Sequence, residues 1–187
     1  MNTQQNNAYS AVAKMFHWIL AMLIIGAFGV GLYMADLPVS PQRLKLYNWH
    51  KWAGVTILAL SALRLCWRLY QPAPTLPASV VEWQKRASHA AHIALYILFF
   101  AVPILGWIYS SAAGFPIVWF GVLPLPDLVD KNREFAEFIK PFHGMAAKVL
   151  AAVVLLHIVA ALKHHFVEHD GVLQRMLPNF MLPKKRV

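Results

Sequence analysis

The chain has 187 residues, of which 59% are hydrophobic and only 13% charged, with a mean hydropathy of +0.50. That balance excludes an ordinary soluble domain and puts most of the chain in lipid. The formal net charge of +9 does not signal nucleic acid, because the basic residues sit at the ends of apolar runs, as membrane loops require.

Four runs are long enough to cross about 30 Å of hydrocarbon, and runs of that length satisfy their backbone as helices. They fall at about 15–35, 49–70, 89–110 and 143–165. The expectation is an all-α membrane protein: a four-transmembrane-helix bundle forming a single integral-membrane domain over 1–187. The first run has no small-x-small cleavage site after its apolar stretch, so it reads as a retained span. Residues 35–48 follow it, with two prolines expected to stop a helix. The next connection, 71–86, is proline-rich and stiff. In the longest connection, 111–126 is apolar, aromatic and broken by prolines, and is expected to lie at the membrane interface. Residues 127–140 read as a short amphipathic surface helix, and the tail ends in PKKRV.

The lone Cys66 lies inside an apolar run and reads as inert packing. With no CxxC or CxxCH, zinc ribbons, iron–sulfur clusters and covalently attached haem are excluded. The Lys and Arg residues divide 10 against 7. The richer side holds the N-terminus, the 71–86 connection and the tail with Lys184, Lys185 and Arg186, which places both termini in the cytoplasm.

With that topology the histidines sort by depth. His143 and His157 lie 14 residues apart on the last span. That interval returns to within about 40° of one helix face and separates the rings by about 21 Å along the axis. His17 stands at the inner end of span 1, level with His157. His50 stands at the outer end of span 2, level with His143. Two cross-helix couples result, one toward each compartment. An iron porphyrin takes an axial His on each face, so the couples read as ligands of two stacked haems. Residues four positions after each of these histidines are Ala21, Gly54, Ala147 and Ala161. All are small, as a flat group lying against a helix requires. Arg64 stands at the depth of the inner couple, where span acids are absent. A haem propionate or the lipid headgroups could meet its charge. Lys148, just inside His143, and Lys51, beside His50, add positive charge near the outer couple.

Phe16-His17-Trp18, the NWHKWAG run around His50, SHAAH ending at His92, PFHG around His143 and LHIVAALKHH around His157 resemble the bacterial cytochrome b561 family. The resemblance covers nearly the whole chain. It implies a four-helix protein of the bacterial inner membrane holding two haem b groups, with His17 and His157 on the inner haem iron and His50 and His143 on the outer. One member of the family oxidises superoxide at the outer face and reduces ubiquinone inside. The resemblance carries the quinone-site histidines over to His92 and His164. Lys148 stands where it leads one to expect a neutral polar residue.

The expected function is therefore transfer of electrons across the inner membrane from a periplasmic donor, superoxide first among candidates, to ubiquinone. A rival is a pure relay for a protein redox partner. A non-haem di-metal oxidase of the desaturase type needs its histidines gathered at one face, and these are divided between two. A transporter would show internal repeats and intramembrane carboxylates, which this chain lacks.

Overall fold

The computed structural model describes residues 8–77, 79–178 and 181; Lys184, Lys185 and Arg186 of the basic tail lie outside the described residues. The apolar runs form four helices: α1 (Ala11–Ala35), α2 (Pro41–Tyr70), α3 (Glu82–Ala112) and α4 (Arg133–Lys163). Three begin at side chains that accept an otherwise orphaned backbone N–H. Ser10 accepts from Ala13, Ser40 from Arg43 and Asn132 from Phe135. A π-helical turn over His164–Glu168 prolongs α4.

Three expectations are corrected. Pro41 does not keep residues 41–48 out of a helix but opens α2, well before residue 49. Its fixed φ suits the first helical position, where no N–H is needed. The stretch 127–140 is not a separate surface helix, because from Arg133 onward it is the opening of α4, which runs on through Pro141. Membrane helices tolerate such interior prolines because neighbouring groups satisfy the freed carbonyl, and Pro103 sits within α3 in the same way. Cys66 is exposed on α2 rather than packed.

Within 111–126 the chain forms a small antiparallel hairpin, β1 (Val118–Trp119) with β2 (Leu123–Pro124). Phe120 and Gly121 turn it with φ of 52° and 74°. Side-chain bonds fasten it to α2. The Trp52 indole donates to the Val118 carbonyl at 2.6 Å, and the Trp119 indole to Thr56 Oγ1 at 3.2 Å. Lys51 donates to the carbonyls of Phe115 and Pro116.

Consecutive helices pack side by side, α1 on α2, α2 on α3 and α3 on α4. Their shared core is a layer of Leu20, Ile24, Ile57, Leu95, Phe99 and Leu150, drawn from all four helices. The outer surface is also apolar, with Met22, Ile25, Leu63, Ile97, Leu155 and Leu156 exposed. A surface of that kind is suited to lipid, and all four helices are long and apolar enough to cross a membrane. The chain is a multi-pass, four-helix membrane bundle. Its terminal end carries the start of α1, the α2–α3 connection and the π-helical turn, and its hairpin end carries the α1–α2 connection and the β-hairpin.

Candidate cofactor site

At the hairpin end the rings of His50 on α2 and His143 on α4 face each other, centroids 6.1 Å apart and planes at 87°. Each ring is backed by a different helix. His50 Nδ1 donates to the Ala27 carbonyl of α1 at 3.0 Å, and His143 Nδ1 donates to the Val102 carbonyl of α3 at 3.0 Å. A carbonyl only accepts, so both rings carry their proton on Nδ1 and present a bare Nε2. The backing helices also make room. A Cβ on Gly31 would come within 3.1 Å of His50 Cε1, and one on Gly106 within 3.0 Å of His143 Cε1. Gly31 is four residues beyond Ala27 and Gly106 four beyond Val102, so each carbonyl and its glycine share one face. Beside His50, a Cβ on Gly54 would meet nothing within 4 Å.

At the terminal end His17 on α1 and His157 on α4 face each other at 6.2 Å, with planes at 62°. The backing differs here. Arg64 Nη2 lies 3.2 Å from His17 Nδ1, and its guanidinium sits 5.8 Å from the centre of the Tyr96 ring. The structure thus sets Arg64, considered from sequence as a propionate partner, against a ligand-type histidine. His92 joins this group, its ring 5.4 Å from that of His157 and its Nδ1 3.4 Å from Ser88 Oγ.

His164 stands apart, two turns beyond His157 and about 10 Å further along the helix axis. Its Nδ1 lies 2.5 Å from Asp170 Oδ2 and 2.7 Å from Glu168 Oε2. The π-helical turn, His169 at φ 51° and Gly171 at φ 76° curl the chain back so that these acids reach it. Asp170 Oδ1 accepts from the Val172 N–H at 3.0 Å, which fixes the carboxylate. The ligand atoms of His164, Glu168 and Asp170 lie within 4.8 Å of one another, close enough to hold a metal ion. The spacing is nevertheless that of hydrogen bonds, and a cation is already present: Lys163 Nζ stands 2.7 Å from Glu168 Oε1. Among the remaining basic and histidine side chains, Lys148 and His89 are exposed, and His165 packs against Phe166.

Sequence reasoning missed Ala27, Val102, Gly31, Gly106 and Asp170. Glycines are common in membrane helices for packing alone, and a backbone carbonyl leaves no sequence trace. For Asp170 there was a signal, since Glu168 and Asp170 are the acids nearest His164 in the chain.

The donor sets fit an axially ligated haem. A metal held between two imidazole nitrogens at about 2 Å each places the ring centres roughly 6 Å apart. Both couples have that separation. At the hairpin end the carbonyl-fixed tautomers supply the bare nitrogen that iron takes, and the open side at Gly54 leaves room for a flat macrocycle.

A family model described as prokaryotic cytochrome b561 matches residues 8–179. The chain is 32% identical to "Cytochrome b561 homolog 2" of Escherichia coli (strain K12) over 176 residues, covering 94% of each protein. It is 30% identical over 171 residues to "Probable superoxide oxidase CybB" of Yersinia pestis, covering 91% of this chain and 96% of that one. It is 29% identical over 175 residues to "Cytochrome b561 homolog 1" of E. coli (strain K12), covering 92% of this chain and 98% of that one.

Proposed function

The chain belongs to the prokaryotic cytochrome b561 family of membrane electron-transfer proteins, and from that membership we propose that it is a superoxide:ubiquinone oxidoreductase of the bacterial inner membrane. Family membership implies binding of haem b. Two haem b groups are assigned here, one to His17 and His157 and one to His50 and His143. Both termini face the cytoplasm, so the hairpin end faces the periplasm.

The reading rests on one observation: two cross-helix histidine couples stand at opposite ends of a bundle with a packed apolar layer between them. Haem held by His17 and His157 and by His50 and His143 would supply a one-electron relay. The residues of the chain do the rest. At the hairpin end Lys51 attracts an anionic donor. His50 and His143 are held in one tautomer by Ala27 and Val102. The layer around Leu20, Ile57, Phe99 and Leu150 excludes water between the ends, so electrons cross and protons do not. At the terminal end His92 and His164 hold protons for the quinone. Two superoxide anions each lose one electron and become dioxygen. One ubiquinone gains those two electrons and two cytoplasmic protons and becomes ubiquinol.

A reduced-minus-oxidised absorption spectrum tests the haem assignment, and a superoxide pulse in a stopped-flow instrument tests the donor. Rapid haem reduction followed by quinol formation is expected; a pigment indifferent to the pulse rules out superoxide as the donor. A pure relay for a protein donor is the second reading, favoured by Phe120 and Val122, exposed on the hairpin where a partner could dock.

A further inference from the structure

We infer that His164, Glu168 and Asp170 form a three-ligand zinc site at the terminal end of the bundle. The site stands on geometry alone. Its effect on turnover rests on the function proposed above, in which His164 supplies protons to the quinone.

Two carboxylate oxygens converge on one ring nitrogen. Asp170 Oδ2 lies 2.5 Å from His164 Nδ1, and Glu168 Oε2 lies 2.7 Å from it. An imidazole nitrogen carries at most one proton, and one proton cannot be given fully to two anionic acceptors. The cluster therefore has an acceptor to spare, which a cation can use. The outer oxygens are held from behind. Glu168 Oε1 accepts from Lys163 Nζ at 2.7 Å and from the Gln84 amide of α3 at 2.6 Å. Asp170 Oδ1 accepts from the Val172 N–H at 3.0 Å. Lys163 thus braces the far oxygen of Glu168, and the near oxygen is the one turned to the ring. Partners of that kind orient the ligands of a metal.

The donor set selects the ion. One imidazole nitrogen and two carboxylate oxygens suit zinc, with water as the fourth ligand, whereas magnesium and calcium take oxygen throughout. Tetrahedral zinc at about 2 Å from each ligand sets those atoms roughly 3.3 Å apart. The three atoms already lie within 4.8 Å of one another. Binding replaces the Nδ1 proton, and the ring draws back from each oxygen by less than about 1 Å. His164 and Glu168 keep part of their side chains exposed, so the ion has a way in. With zinc on Nδ1, the ring holds its proton on Nε2 and has no nitrogen left to take up another. A proton relay uses both nitrogens, one to receive and one to give, so bound zinc closes it.

Zinc chloride titrated into the purified, haem-loaded and chelator-washed protein tests the site. Zinc per chain is read by mass spectrometry after gel filtration, and its ligands by zinc K-edge absorption. One zinc per chain is expected, bound to one imidazole nitrogen and to oxygens at about 2.0 Å. Glu168→Gln and Asp170→Asn should each weaken binding about tenfold or more, while His165→Ala, at the neighbouring histidine, leaves it unchanged. An unaltered affinity in both carboxamide variants overturns the inference, as does an unmodified protein that retains no zinc. Haem per chain shows whether a variant has folded. Where one has not, the K-edge spectrum of the unmodified protein still decides, and a sulfur ligand or a second imidazole overturns the site. In single turnover, bound zinc should leave haem reduction by the donor intact and slow quinol formation about tenfold or more, with recovery on adding EDTA. Zinc held by these three residues with quinol formation unslowed upholds the metal site and removes His164 from the proton path of the proposed function.

Discussion

His143 Nδ1 donates to the Val102 carbonyl at 3.0 Å, and Gly106, one turn further along α3, is what lets the ring lie against that helix. A methyl group at Gly106 would stand 3.0 Å from Cε1, a distance at which the ring must move. The neighbouring helix cannot retreat easily, because α3 and α4 pack along each other. Gly106→Ala is therefore expected to dislodge the hairpin-end haem and keep the terminal-end one, so haem per chain falls to about half. Gly31→Ala, acting on His50, should do the same. Gly29→Ala is the control, since a Cβ there meets nothing within 4 Å. Haem content by pyridine haemochrome assay checks all three; full loading of Gly106→Ala would mean that the glycine does not shape the site.

The two ends also predict a division of labour among the terminal-end histidines. The rings of His157 and His17 stand 6.2 Å apart, and the His92 ring lies 5.4 Å from that of His157 with its Nδ1 toward Ser88. His157→Ala should remove the terminal-end haem absorbance. His92→Ala should leave both haems bound and slow quinol formation. Measuring haem content and quinone turnover on the same preparations separates the two roles, and loss of haem from His92→Ala would count against this assignment.

Much of this arrangement can be read from residue order alone, because a membrane helix converts sequence interval into depth. Fourteen residues between His143 and His157 set two levels, and His17 and His50 stand at those levels on other helices. Ring proximity follows from that arithmetic. What stays hidden has a common cause: it depends on contacts between elements. The hairpin comprises two strands of two residues each, and Trp52 and Thr56 of α2 hold it from outside. Local periodicity has too few residues there to show a strand. Pro41 and Pro141 mislead for a related reason, since a proline's effect depends on its position within a helix and on its neighbours. The carbonyls of Ala27 and Val102 are invisible because every residue has one.

Asp170 gives a third prediction. Its Oδ2 lies 2.5 Å from His164 Nδ1, and its Oδ1 is pinned by the Val172 N–H. The carboxylate orients the imidazole, as the proposed delivery of protons to a reduced quinone requires. Asp170→Asn keeps the shape and removes the charge. It should leave haem content and reduction by the donor unchanged while slowing quinol formation roughly tenfold, the low end of what general acid catalysis supplies. Asp170→Glu should recover part of the rate. Single-turnover oxidation of the prereduced protein by a soluble quinone is the measurement; an unaltered rate in Asp170→Asn would remove His164 from the proton path.

The last prediction concerns how the donor arrives. Lys51 adjoins His50, and its ammonium bonds the carbonyls of Phe115 and Pro116, which puts a fixed positive charge at the approach to the hairpin-end couple. Lys148 is exposed on α4, so its ammonium is free to reach the headgroups at the membrane surface. An anionic donor should feel Lys51 more strongly. Lys51→Gln is expected to lower the second-order rate of haem reduction by superoxide about threefold at low ionic strength, while Lys148→Gln changes it little. Salt should erase the difference, because the interaction is screened beyond roughly 10 Å at 0.1 M. Lys51→Arg keeps the charge and should keep the rate. If Lys51→Gln instead slowed the reaction equally at all salt concentrations, the lysine would be acting through its bonds to the 115–116 backbone rather than by steering, and Lys51→Arg would then be slowed as well.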